Sequence, residues 1–314
     1  MPEATKVSIE TSIKEPDIVF YDVRKSPFAV YGLYDYQNQS VFRRLPENIA
    51  AETSAGVKQL ALETAGGRLR FSTDSEYIAI SVKMPYIKRL SHMPMTGTTG
   101  FDLYLDSDGG SRYVKTFKPD ANIKGGYESL IRVGGRGMRS YTINFPSYNA
   151  VNELYIGVSA KSHIGAGKEY RTKLPVVFYG NSITQGACSS RPGLTYENMI
   201  SRKYDLDYIN LGFSGNGRAE LPIVNYMASL DMLAFISDYD HNAPSVDFLR
   251  DTHQRMYEII RAAQPDIPYL MISRCDFHGG EDDFLRRDVV IDTYRFAREQ
   301  GDKKVFYLDG EGIF

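Results

Sequence analysis

The sequence is short of three things, and each shortage removes a class of function. Cysteine occurs only at Cys188 and Cys275, too few for a disulfide framework and without the paired spacing of a zinc site, so both read as reduced thiols. No His/Cys/Asp cluster has ligand spacing, and neither a catalytic metal nor another cofactor is expected. No apolar run approaches the roughly 20 residues that span a bilayer, and a 42% apolar, 24% charged composition is that of a soluble globular chain. A membrane protein is not expected. Neither sign of charge dominates: 37 basic and 39 acidic side chains give a net charge of −2 and no field to attract nucleic acid or anionic lipid, so a small neutral partner fits better. The opening residues, Met1-Pro2-Glu3-Ala4-Thr5-Lys6, lack the basic and then apolar segments of a secretory signal, which favours the cytoplasm.

A chain of 314 residues has room for two domains with separate cores. The first half reads as β structure. Ile78, Ile80, Val82 and Met84 alternate with smaller or polar residues, as do Tyr141, Ile143 and Phe145, the period of a half-buried strand. Turn-rich breaks at 106–110 and 134–137 punctuate these runs, and no long amphipathic helix intervenes. A β-sandwich, jelly-roll-like, is the expected fold. After a polar stretch, Lys161 to Lys173, short apolar runs take over at 176–179, 208–211, 233–236, 269–272 and 305–308, suited to strands buried on both faces. Between the later ones, Leu249, Thr252, Met256, Ile259, Ile260 and Ala263 mark one helical face, and Leu285, Val289, Thr293 and Phe296 another. Alternating strands and helices predict a parallel, doubly wound sheet.

Such sheets bind ligands at the carboxyl ends of their strands, and three ends are unusual. Gly180-Asn181-Ser182-Ile183-Thr184-Gln185-Gly186 holds a serine at a strand-to-helix turn, where a hydroxyl is exposed; a phosphate-binding or merely capping turn would look the same. Gly212-Phe213-Ser214-Gly215-Asn216-Gly217 is a glycine loop whose N–H groups can approach a ligand, or a common tight loop. Asp238-Tyr239-Asp240-His241-Asn242-Ala243-Pro244 puts Asn242 before a helix, where its amide can face an oxyanion or simply serve the turn.

Taken together and in this order, these blocks resemble the SGNH (GDSL-type) hydrolases. The resemblance implies a flavodoxin-like α/β domain with a five-stranded parallel sheet, Ser182 as nucleophile, and an oxyanion hole made by the N–H groups of Ser182 and Gly215 and the Asn242 side chain. Asn181 stands where the family usually has the aspartate of Gly-Asp-Ser, which is not its triad acid. Gly100-Phe101-Asp102-Leu103-Tyr104 resembles the Gly-x-Asp-Leu-Tyr signature of the β-sandwich that precedes one SGNH subfamily. The expected domains are residues 1–165 for the sandwich and 174–314 for the hydrolase.

The family's fourth block, Asp-x-x-His, has one match in spacing, Asp238 to His241, and that match falls inside the oxyanion block. His92 and His163 have no aspartate three residues before them, while His253 and His278 follow Asp251 and Asp276 by two. The resemblance therefore places the catalytic His/Asp pair beyond Phe314, together with a helix whose absence would bare a sheet face and favour dimerisation. The implied activity is hydrolysis of an acyl or acetyl ester of a carbohydrate or small polar molecule. Acyl transfer by the same serine, and carbohydrate binding by an inactive domain, are the alternatives. Arg191 and Tyr196, near the nucleophile in sequence, are candidate substrate contacts, or else a solvated loop residue and a helix-core residue.

Overall fold

The computed structural model describes residues 4–135, 137–275 and 279–313, which fall into two compact units. One is built from the chain up to Arg44, Leu62–Thr172 and Gly186–Asp207; the other from Leu45–Ala61, Lys173–Gln185 and the chain from Tyr208 onward. His278 and Asp276, weighed above as a catalytic pair, lie outside the described residues.

The first unit is an antiparallel β-sandwich. One sheet runs in the order Lys6–Val7, Ile18–Asp22, Glu153–Ser159, Tyr77–Lys83 and Gly126–Arg132. The other runs Ile164–Ala166, Arg68–Thr73, Arg139–Asn144, Phe101–Ser107 and Gly110–Phe117, with Ala29–Tyr31 also paired to Arg68–Thr73. The alternation read from sequence places Ile78, Ile80 and Val82 in the same core as Ile143, Leu69, Phe71, Phe101 and Leu103. Each of these larger side chains contributes roughly 1.5–3 kcal/mol by leaving water. Arg68–Thr73 was not legible as a strand because it is buried on both faces: Leu69 and Phe71 enter the core while Arg68 and Arg70 are buried on the other side.

The second unit is an α/β fold around five parallel strands: β1 (Val176–Gly180), β2 (Tyr208–Gly212), β3 (Ala234–Asp238), β4 (Tyr269–Ile272) and β5 (Val305–Leu308). They lie in the order β2-β1-β3-β4-β5, the flavodoxin-like arrangement. The helix Val246–Ala263 starts at Ser245, whose hydroxyl accepts from Phe248 N at 3.2 Å, and buries Leu249, Met256 and Ile260. Glu281–Glu299 buries Val289, Val290, Thr293 and Ala297. Two short helices, Glu47–Thr53 and Ala55–Leu60, belong to this unit although they precede most of the sandwich in sequence. Ala50, Val57 and Leu60 join its core, and helices of two turns are too short to display a periodicity. Among the described residues no helix is long and apolar enough to cross a membrane.

Candidate active site

In the parallel register Gly180 lies opposite Gly212 of β2 on one side and Asp238 of β3 on the other. The segments that follow therefore leave one carboxyl edge from adjacent strands, about 5 Å apart. Backbone bonds fasten the exits: Phe213 N donates to Gly180 O at 2.9 Å, and Asn181 N donates to Asp238 O at 3.0 Å. Asn242 Nδ2 donates to Phe213 O at 3.1 Å and ties the third loop to the second. The blocks around Ser182, Gly215 and Asn242 are thus neighbours at one edge of the sheet.

Ser182 opens a single helical turn, Ser182–Gln185. Asn181 caps it, its Oδ1 accepting from Ile183 N at 2.7 Å and Thr184 N at 3.4 Å, a task that an aspartate performs equally well. The other end of the amide makes the difference. Asn181 Nδ2 donates to Asp238 Oδ1 at 3.2 Å, where an aspartate would bring a second carboxyl against a buried one. Asp238 is buried, and burial first, then the nearby Asp240, pushes its carboxyl up to about 8 against hydrogen bonds from Thr184 and Asn181. Neutral at pH 7, it takes an amide donor without strain.

The loop after β2 is shaped by two glycines for different reasons. A Cβ on Gly212 would collide with the backbone of Thr184 and Gln185, so only glycine lets the serine turn pack onto the strand end. Gly215 has φ +69° and open space around it, so its requirement is conformational. Ser214 N donates to Gln185 Oε1 at 2.9 Å and Asn210 Nδ2 to Thr184 O at 2.5 Å, which holds the loop to the serine turn. Asn242 is half-buried and ends a short turn, Asp240–Asn242. Its amide carries two N–H groups, of which one is used on Phe213 O.

The residues matched by family models divide at the same place as the chemistry. Residues 173–311 match the GDSL-like lipase/acylhydrolase family, and residues 18–164 match the GxDLY N-terminus of SGNH-hydrolase-type esterases. Residues 173–311 are thus the GDSL-like lipase/acylhydrolase part of the chain, and residues 18–164 its GxDLY part. The chain is similar over 94% of its length to 87% of a Bacteroides ovatus protein described as a GDSL-like lipase, with 25% identity and a TM-score of 0.84. Its fold is shared by a salicylyl-acyltransferase from a tetracycline biosynthetic pathway, at 19% identity and TM-score 0.74 over 95% of this chain and 86% of that one. It is also shared by a family two carbohydrate esterase from Clostridium thermocellum solved with cellohexaose, at 13% identity and TM-score 0.59 over 79% and 82% of the two chains. No curated protein matches the sequence.

His241 sits between cations. Its Nε2 meets Arg274 Nη1, which also donates to Asp283 Oδ1 at 3.1 Å. Burial and then the charges of Arg274 and Arg286 push the imidazole down to about 4, against the pull of Asp283 and Asp282. Neighbouring Asp240 is raised to about 6 by burial, although Arg274 N and His241 N donate to it at 3.0 and 2.8 Å.

Arg191 and Tyr196 belong to the sandwich unit. Arg191 Nε lies 3.5 Å from Asp102 Oδ2, and its guanidinium stands 4.0 Å from the centre of the Tyr113 ring. Tyr196 is the half-buried first residue of the helix Tyr196–Tyr204. The aspartate of the GxDLY motif, Asp102, is fully buried and accepts from Asn144 Nδ2 at 2.7 Å and Gly193 N at 2.9 Å. Tyr104 of the same motif donates to Gly193 O at 3.4 Å. The motif is therefore an anchor that holds residues 191–193 on its sheet, a role that its apolar positions did not reveal. The readable signal was a carboxylate in the middle of a strand, which must find donors when buried.

Proposed function

We propose that Ser182 is the nucleophile of an esterase that cleaves an acetyl or other short acyl ester of a carbohydrate or small polar molecule. The observation that carries this reading is the lateral alignment of Gly180, Gly212 and Asp238, which sets the serine turn beside two loops able to donate hydrogen bonds. Ser182 Oγ attacks the ester carbonyl, its proton passing to a general base other than His241, which returns that proton to the departing alcohol. The negative charge of the tetrahedral intermediate is met by the N–H groups of Ser182 and Gly215 and by the second N–H of Asn242, and water then releases the acyl group. In this proposal the unit that holds the parallel sheet carries the chemistry, and the sandwich unit is a separate domain. The sugar ester is chosen because the sandwich-plus-hydrolase fold is shared with a carbohydrate esterase.

Transfer of the acyl group to an acceptor other than water would use the same residues. The test is labelling with a fluorophosphonate, which reports an activated hydroxyl, followed by a screen of acetylated sugars and p-nitrophenyl esters of increasing acyl length. Labelling that persists in Ser182→Ala places the nucleophile elsewhere. Labelling of Ser182 without turnover of any ester, but with turnover when an alcohol acceptor is added, makes the chain a transferase.

A further inference from the structure

The six-stranded sheet of the sandwich has a polar second face that the activity does not use. Leu69 and Phe71 enter the core, so Arg68 and Arg70 on the same strand point the other way, yet they are only 1% and 4% exposed. In the register of that sheet, Asn144 lies opposite Arg68 and Asp102, and Thr142 opposite Arg70 and Tyr104. This face and the helix Tyr196–Tyr204 of the same unit line a cleft of about 350 Å³, at the small end of the range for small-molecule sites.

The lining is specific in two ways. Among the described residues no aliphatic side chain contributes to it, so it is not built for an acyl chain or a lipid; serine, threonine and asparagine alternate with charged groups, and arginines and lysines outnumber aspartates six to three. Two of its cations, Arg70 and Arg202, are also incompletely paired. Arg70 Nε donates to Thr142 Oγ1 at 3.2 Å, and its Nη2 lies 3.6 Å from Asp106 and 3.7 Å from Asp205. The guanidinium stands 4.0 Å from the centre of the Tyr170 ring. Its Nη1 is buried without a hydrogen-bond partner among the described residues, and so is Nη1 of Arg202. A buried N–H of a cation without an acceptor is costly, and planar guanidinium groups match carboxylate and phosphate oxygens.

We propose that this cleft binds a small anionic sugar, its carboxylate or phosphate held by Arg70 and Arg202 and its hydroxyls met by the amide and hydroxyl side chains of the wall. The site lies wholly within the sandwich unit and does not depend on Ser182. Calorimetric titration of the full 314-residue chain tests it with glucuronate, glucose 6-phosphate, glucose, acetate and inorganic phosphate. Glucuronate or glucose 6-phosphate should bind at least roughly tenfold more tightly than glucose, acetate or phosphate, since one charge-assisted bond corresponds to about that factor. The tighter of the two identifies the anionic group. Glucose binding as well as either sugar, a free anion binding as well, or no binding of any ligand overturns the proposal. Arg70→Gln and Arg202→Gln should each weaken the sugar by about tenfold. Arg70 is buried, so folding of its variant is checked by circular dichroism, and Lys203→Gln at an exposed position of the lining provides a third reading with expected loss of the anionic preference. Wild-type affinity in the Arg202 and Lys203 variants refutes the site.

Discussion

Asp238→Asn should stabilise the protein at neutral pH and do almost nothing in acid. The carboxyl stands at about 8 in the folded chain, first because it is buried and then because Asp240 is near. In the unfolded chain it returns to the ordinary range near 4, so between about pH 4 and 8 the unfolded state is ionised while the folded state holds its proton. A raised folded value means that stability is fully present below the unfolded pKa and is lost as pH rises through the folded one. At pH 7 the gap spans about three pH units, or on the order of 4 kcal/mol at about 1.4 kcal/mol per unit. Asparagine keeps the acceptor for Asn181 Nδ2 and never ionises, so it avoids that cost. The assay is urea denaturation of both proteins from pH 4 to 8. Subtracting one curve from the other removes the contributions of the other titrating groups. The difference should grow with pH at a slope near 1.4 kcal/mol per unit. A difference that stays constant across the range refutes the argument, because it would come from packing and not from the proton.

Asn242→Ala should lower kcat by roughly 10²–10³ with little change in KM, as loss of one oxyanion donor does; steady-state kinetics on a p-nitrophenyl ester reads the split, and an equal fall in affinity would argue against the role. Gly212→Ala drives a methyl into the backbone of Thr184 and Gln185 and should cost about 1–3 kcal/mol or more, visible as a lower melting temperature together with slower labelling of Ser182. His241→Gln should leave the fluorophosphonate labelling rate within roughly threefold, because an imidazole pushed down to about 4 is a weak base at neutral pH; loss of labelling in a folded variant would reinstate it. His253, fully buried and also pushed down to about 4 by burial, adds stability above its ordinary value that is lost as pH falls from about 6.5 towards 4, so His253→Asn should flatten the acid limb of the unfolding curve.

The architecture was legible where a strand has one polar face or where an apolar run is short and bounded. Ile78 to Met84 and the five runs of the parallel sheet correspond to observed strands, because burial on a defined face writes a period into the sequence. Arg68–Thr73 escaped that reading. Its outward residues are as buried as its inward ones, and the donors that make this tolerable, Arg68 to Tyr170 Oη at 2.9 Å and to Asp207, come from residues about 100 and 139 positions away. The allocation of 45–61 and 186–207 to units other than their sequence neighbours is equally invisible locally. It rests on Val57 and Leu60 in one case and on the bonds of Asp102 and Tyr104 to Gly193 in the other.

At the site, the distinction is between roles that a backbone fixes and roles that an environment fixes. A nucleophile turn and a glycine loop are positions on strand ends, so parallel register is enough to bring Ser182, Gly215 and Asn242 to one edge. A general base is different: its spacing matters less than whether it can hold a proton at the working pH. Asp238 to His241 satisfies the spacing of Asp-x-x-His, and neither partner suits the role. The aspartate that should be an anion is raised to about 8, and the histidine that should accept a proton is lowered to about 4. Both shifts begin with burial, and the second is reinforced by Arg274 and Arg286, which reach the histidine from 33 and 45 positions downstream in the chain. Each group is thereby held in its neutral form at pH 7. In that state Asp238 can position Asn181 by accepting from its amide, but the pair has neither the charge to orient an imidazolium nor the basicity to take the proton of Ser182.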